Sequence, residues 1–333
     1  MPTTLAELKQ HCVAIGVTRI EDVGEGFEVC LCTRRFVNGE GKRAILVRVS
    51  LIEVGRLVVV GAHGIFPPPK DLDTSALLCL RLCHMTSAVQ TEFDADARIS
   101  LVIEHPVEDS SFSRRQLFCY FQSIVEAADA LQPAMDPIGM RAGVPIVSVE
   151  RFAERAEVIE YESCFVRRAA ESSEAIEARD RSSALVPALP TIESIESQLR
   201  SIGVECEVSE ARGENRYLIV TVPTEVYRGC DEQIQLRMLV CATDHSVIVT
   251  APLRYQALTR RGRGRLARLM LKICQETKVF QAEMDEDGEI QVVAEICVLD
   301  TEFTAAQLKR LVGTIVGVLD EFDPLISKEL EDF

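Results

Sequence analysis

The chain has 333 residues, 47% of them hydrophobic and 26% charged, which is ordinary for a globular protein and leaves room for two domains. Its formal net charge of −16 opposes nucleic-acid phosphates and anionic lipid surfaces, and suits basic or amphipathic protein partners. No stretch approaches the roughly 18 consecutive apolar residues of a membrane span, and the opening MPTTLAELKQ has neither a basic nor an apolar leader region. A cytoplasmic location and no membrane partner are therefore expected.

The first element is a helix with Leu5, Leu8, Cys12 and Ile15 at helical spacing, stopped by Gly16. Three strands rich in Val, Ile and Leu follow, at about Glu28 to Thr33, Ala44 to Ile52 and Arg56 to Gly61. A second helix runs from about Thr74 to Thr86, and its SALLCLRLC core is apolar nearly all round, which predicts burial on more than one side. A strand, a tight turn at FDADARI and another strand come next. Ser113 and Gln116 then form a capping box that opens a third helix, with Leu117, Phe121, Ile124, Val125 and Ala128 as its apolar stripe.

The same order returns. Setting Leu78 to Asp129 against Leu269 to Asp320, an offset of 191, gives 19 identities in 52 ungapped pairs. Chance at average composition gives about three. The identities include Cys83/Cys274, Glu92/Glu283, Asp94/Asp285, Glu104/Glu295, Phe112/Phe303 and Leu117/Leu308. Nearer the N-terminus the offset is 187, pairing Thr4 to Val17 with Thr191 to Val204. The second copy has its first helix at Ile192, Ile195, Leu199 and Ile202, stopped by Gly203, and a second capping box at Thr304 and Gln307. The sequence reads as a tandem duplication. The fold class is α+β: two tandem α-β-β-β-α-β-β-α repeats, each an antiparallel sheet with helices on one face. The expected divisions are a first repeat over 1–135, a charged and partly helical linker over 136–190, and a second repeat over 191–333.

This arrangement resembles the YbjN family of bacterial sensory transduction regulators and its structural relatives, the type III secretion chaperones. The likeness is carried by the L-x-x-L…IGV opening helix (Leu5, Leu8, Ile15 to Val17, and again Ile192, Ile195, Ile202 to Val204), by the hairpin KVFQAEMDEDGEIQVVAEI, and by the closing amphipathic helix. The resemblance implies a secretion-chaperone-like domain that binds an unknown protein or peptide partner and has no active site. It implies further that the two repeats form an internal pseudo-dimer in place of a homodimer. Surfaces on the sheet edge and first helix would hold the partner, through Leu5, Leu8, Ile192 and Ile195. Ile65 and Phe66, ahead of three prolines, and Tyr255, at the matching place in the second repeat, are further contact candidates. The plainer reading of Phe66 and Tyr255 is that they plug the edge of each core.

Other chemistry reads more plainly. Twelve cysteines lie scattered along apolar faces, where free cysteine behaves as a small hydrophobe, and Cys79-x-x-x-Cys83-His84 lacks structural zinc spacing. No metal and no cofactor are expected. The arginines of TRRGRGRLAR (Arg260, Arg261, Arg263, Arg265, Arg268) read as a charged loop leading into the second helix of repeat two; without aromatic neighbours and against the net charge, they do not predict nucleic-acid binding. No catalytic signature occurs, and the five histidines (His11, His63, His84, His105, His245) fall on different elements, so no enzyme is expected. The alternative function is a regulatory sensor that binds a divalent cation such as calcium through the acidic hairpins at Asp94 and Asp96 and at Asp285, Asp287 and Glu289.

Overall fold

The structure, a computed structural model, describes residues 3–135 except 18 and 87, then 190–209, 217–224, 233–241, 246–285 except 256 and 258, and 287–331. Among the described residues there are six α-helices and two six-stranded antiparallel sheets. The expected linker over 136–190 lies, but for its last residue, outside the described residues.

The first half runs α1 (Leu5–Ala14), β1 (Ile20–Val23), β2 (Gly26–Cys32), β3 (Ala44–Ile52), β4 (Leu57–Phe66), α2 (Leu72–Met85), β5 (Gln90–Phe93), β6 (Ile99–Pro106) and α3 (Arg114–Met135). The second runs α4 (Ile192–Ser201), β7 (Cys206–Ser209), β8 (Tyr217–Pro223), β9 (Gln233–Cys241), β10 (Ser246–Tyr255), α5 (Arg260–Glu276), β11 (Gln281–Met284), β12 (Ile290–Cys297) and α6 (Ala305–Glu331). Each half therefore has four strands between its first two helices, not the three expected. The additional strands, β1 and β7, are four-residue edge strands carrying acidic residues, too short and too polar for alternation to mark them. Sheet order is β1-β2-β3-β4-β6-β5 in one half and its counterpart, β7-β8-β9-β10-β12-β11, in the other.

Local chemistry explains the boundaries. Thr4 and Thr191 cap α1 and α4 by accepting hydrogen bonds from Glu7 N and Ser194 N. Gly16 and Gly203 stop them at φ 89° and 77°, the left-handed conformation that glycine adopts without a Cβ clash. Both capping boxes form: Ser113 Oγ accepts from Gln116 N (3.1 Å) while Gln116 Oε1 accepts from Ser113 N (2.9 Å), and Thr304 and Gln307 repeat the pattern. The five arginines expected on a loop instead open α5, because Thr259 accepts from Gly262 N and caps a helix there. Of these, Arg268 pairs with Asp73 of α2 at 2.6 Å and Arg265 with Glu329 of α6 at 2.7 Å.

The halves meet along α2 and α5, which cross closely enough that a methyl group on Gly264 would lie 2.4 Å from Asp73 Cβ. Helix α2 is buried on nearly every side, between α3 of its own half and α5 and β11 of the other. Polar contacts across the junction come in reciprocal pairs 191 residues apart. Ala88 N donates to Glu295 Oε2 (2.8 Å) and Val279 N to Glu104 Oε2 (2.5 Å). Gln116 Nε2 donates to Cys297 O and Gln307 Nε2 to Pro106 O, both at 2.7 Å. Ser113 Oγ donates to Asp300 Oδ1 (2.5 Å) and Thr304 Oγ1 to Asp109 Oδ1 (2.6 Å). Ala88 and Val279 both sit at positive φ, 60° and 62°, the strained geometry that accompanies these N–H groups meeting a carboxylate across the junction. One apolar cluster runs through both halves.

Candidate functional site

The residues expected to meet a partner divide by burial. Leu8 and Ile195 are fully buried, because they face α3 and α6 rather than solvent; they are core, not surface. Leu5 and Ile192 are half-buried against the same core. Phe66 and Tyr255, 3% and 5% exposed, act as plugs. Phe66 meets Phe36 edge-to-face at 5.3 Å, and Tyr255 Oη donates to Asp323 Oδ1 of α6 at 2.9 Å.

The structure does gather one expected pair into a cleft. Strand β4 changes register between Ala62 and Phe66, and Gly64, at φ 59°, carries the chain through that irregularity. Ile65, Phe66, Pro67 and Pro68 then form one wall of a cleft of about 410 Å³. Val37 and Met135 add apolar surface opposite, with Arg98 and Gln132 at polar positions. Three N–H groups hold the far wall in place: Arg34 N, Arg35 N and Phe36 N donate to the buried Asp129 carboxylate of α3 at 2.9, 2.8 and 2.7 Å. Gln132 Oε1 accepts from Val37 N (3.1 Å). An apolar trough with few polar groups on rigid elements is the usual form of a site that takes an extended segment. Nothing in local sequence marks Val37, Arg98, Gln132 or Met135, since they meet Ile65 only through tertiary packing. Asp129 did carry a signal, as a charged identity with Asp320 inside an otherwise apolar helix stripe.

The acidic hairpins use their side chains internally. Asp94 Oδ1 accepts from Asp96 N and Arg98 N, and Asp285 Oδ1 from Asp287 N and Glu289 N, closing each turn. Among the described residues no group of three or more His, Cys, Asp or Glu side chains is placed to hold a metal ion. Burial pushes the Cys83 thiol up to about 12, and Cys79 higher still, so both stay protonated. Cys30 and Cys32 lie apart from them, exposed on β2.

Buried charge gathers at the junction. Burial pushes the Glu92 carboxyl up to about 7, with the Glu104 charge adding to the rise and Lys278 opposing it. Lys278 Nζ lies 2.7 Å from Glu104 Oε1. Burial likewise pushes His105 down to about 3; its Nδ1 is 2.7 Å from Tyr120 Oη.

No protein-family model, curated protein or solved structure matches this chain. Among the described residues no helix is long and apolar enough to cross a membrane.

Proposed function

We propose that this chain is a cytoplasmic, non-enzymatic polypeptide-binding module: two YbjN-like, secretion-chaperone-like repeats, related by tandem duplication and packed as an internal pseudo-dimer. The observation that carries the reading is the reciprocity of the junction, in which Glu104 and Glu295, Gln116 and Gln307, and Asp109 and Asp300 play matching parts. Such pairing gives a single chain the two-fold arrangement that the chaperones make from two. It spends α2 and α5 on self-association and leaves the cleft at Ile65 facing outward.

A partner segment would lie in that cleft, with its apolar side chains against Ile65, Pro67 and Met135 and its polar edge toward Arg98. The surrounding negative field would speed the approach of basic partners more than it would tighten their hold. The test is a pull-down from native lysate with the immobilised full chain, run beside Val37→Glu. Val37 is 41% exposed, so a charge there alters the cleft without entering the core. Species captured by the parent chain and lost with Val37→Glu support the reading. An identical set on both, or none above background, refutes it.

A further inference from the structure

Two buried carboxyl groups share one ammonium where the halves meet. Glu92 pairs across from Ser100, and Glu104 lies four residues further along β6, so both side chains stand on the same face of the first sheet. They are 8% and 6% exposed. The end of α5, from the other half, brings Lys278 Nζ to 2.7 Å from Glu104 Oε1 and Val279 N to Glu104 Oε2. Glu92 receives the neutral Gln90 amide at 3.1 Å and feels the charges of both Glu104 and Lys278. Cys274 of α5 faces the same two carboxyls, its thiol kept protonated by burial, and Cys83 of α2 lies beside β5 with its Sγ 3.3 Å from Thr91 Oγ1. Glu53, which also acts on Lys278, is paired with Arg310 at 2.8 Å. With both carboxyls ionised, the site would hold one negative charge in excess away from water, a costly arrangement. Glu104 has the ammonium and the Val279 N–H, so Glu92 is the one that keeps a proton.

At the matching place on the second sheet a different group holds a proton. His84, at the end of α2, lies with its Nδ1 3.2 Å from Glu283 Oε2, and Glu283 is the residue aligned with Glu92. Gln291 Nε2 donates to the same oxygen at 3.4 Å, Glu295 stands alongside on β12 and accepts from Ala88 N, and burial keeps the Cys83 thiol protonated. The His84–Glu283 contact is an ion pair only while the imidazole carries both of its protons. We propose that the junction is a proton-linked latch, closed with a proton on Glu92 at one end and on His84 at the other, and loosened as alkali removes both. The two signs agree. Losing the first proton leaves two carboxylates on one ammonium, and losing the second takes the positive charge out of the Glu283 pair. Separating the halves draws Lys278 away and lets water reach Glu92, so the open chain gives up the proton that the closed chain holds. The Glu92 end carries most of the effect, because the His84 side chain is 33% exposed and solvent screens its pair. A rise in pH would uncover the apolar surface that α2 and α5 bury against each other. The latch does not depend on what the cleft at Ile65 holds.

Amide hydrogen exchange of the full chain, corrected for the intrinsic rate at each pH, reads the latch at Ala88 and Val279 against strand amides within each sheet. Protection at the two junction amides should fall by about thirtyfold from about pH 5.5 to about pH 8.5, while the strand amides change less. That ratio follows from a carboxyl that titrates at about 7 in the closed chain and at its ordinary 4.5 in the open one. The carboxyl carbon resonance of Glu92, followed in the parent chain, should titrate at about 7 as well. Glu92→Gln, which keeps the shape and fixes the group neutral, should leave only the small fall due to His84, and adding His84→Gln should leave none. Junction protection that is constant over this range, a fall that persists undiminished in Glu92→Gln or survives in the double variant, or a Glu92 carboxyl that titrates in the ordinary carboxylate range overturns the proposal.

Discussion

Replacing Gly264 with alanine tests the junction through the sign of a stability change. In an ordinary helix interior Gly→Ala stabilises by about 1 kcal/mol, because glycine loses more backbone freedom on folding. At Gly264 the new methyl carbon would sit 2.4 Å from Asp73 Cβ, 2.9 Å from its Cγ and 3.1 Å from its Cα. Comfortable carbon contacts lie at about 3.5–4.0 Å, so α2 and α5 must part by about 1 Å where they cross. Overpacking of that kind costs about 1–3 kcal/mol. Separation also strains the Arg268–Asp73 pair, now 2.6 Å long. The expected net result is a loss of about 1–2 kcal/mol, and Gly264→Val should lose more, since valine has poorer helix propensity and more bulk. Gly313 and Gly317 of α6 are the controls, because an added methyl meets nothing within 4 Å at either. Alanine there should gain about 0.5–1 kcal/mol. Urea denaturation of the full chain reads all four variants. If Gly264→Ala gains stability alongside Gly313→Ala, the helices do not cross at Gly264 and the junction described above is wrong.

Three further outcomes are expected. Glu92 has its folded pKa raised to about 7 from the ordinary 4.5, so the folded chain holds a proton that the unfolded chain has released between those values. Its contribution to stability is therefore largest below pH 4.5 and falls by about 2–3 kcal/mol as pH rises to 7, and Glu92→Gln should be the more stable chain at pH 8 with a flatter profile over that window, checked by denaturation at several pH values. Asp129→Ala removes the acceptor for three N–H groups and should cost about 3 kcal/mol, with shifted amide resonances at Arg34 to Phe36 and weaker capture of any partner. Val54, fully exposed at φ 57° between Glu53 and Gly55, holds a β-branched side chain in the left-handed region; Val54→Gly should gain about 0.5–1 kcal/mol in the same assay, and a loss would mean that the turn is not strained.

Much of this architecture was legible where local chemistry decides it. The capping boxes at Ser113 and Thr304, the glycine stops at Gly16 and Gly203, and the ends of β3 follow from side chains acting on their own backbone, and they fall where spacing puts them. Elements held by neighbours were harder to see. Strands β1 and β7 have no burial alternation of their own and exist because β2 and β8 offer an edge. Strand β4 runs on to Phe66 past two glycines because β6 pairs with it on both sides of the irregularity. Leu8 and Ile195 gave the same signal that a docking surface gives, an apolar stripe, and only tertiary packing says which face is already taken. The junction glutamates were visible as identities between the copies, but a carboxylate held by a backbone N–H from 175 or more residues away leaves no local trace.

The reciprocal junction is the centre of the account, and hydrogen exchange at two backbone amides tests it most directly. Ala88 N and Val279 N each lie at the end of a helix, at positive φ, and each donates to a glutamate of the other half. Packed halves should protect both amides to the level of the core strands, because only separation of the halves would expose them. Exchange of either amide at the rate of an open loop, in a chain whose sheet amides remain protected, would contradict the account.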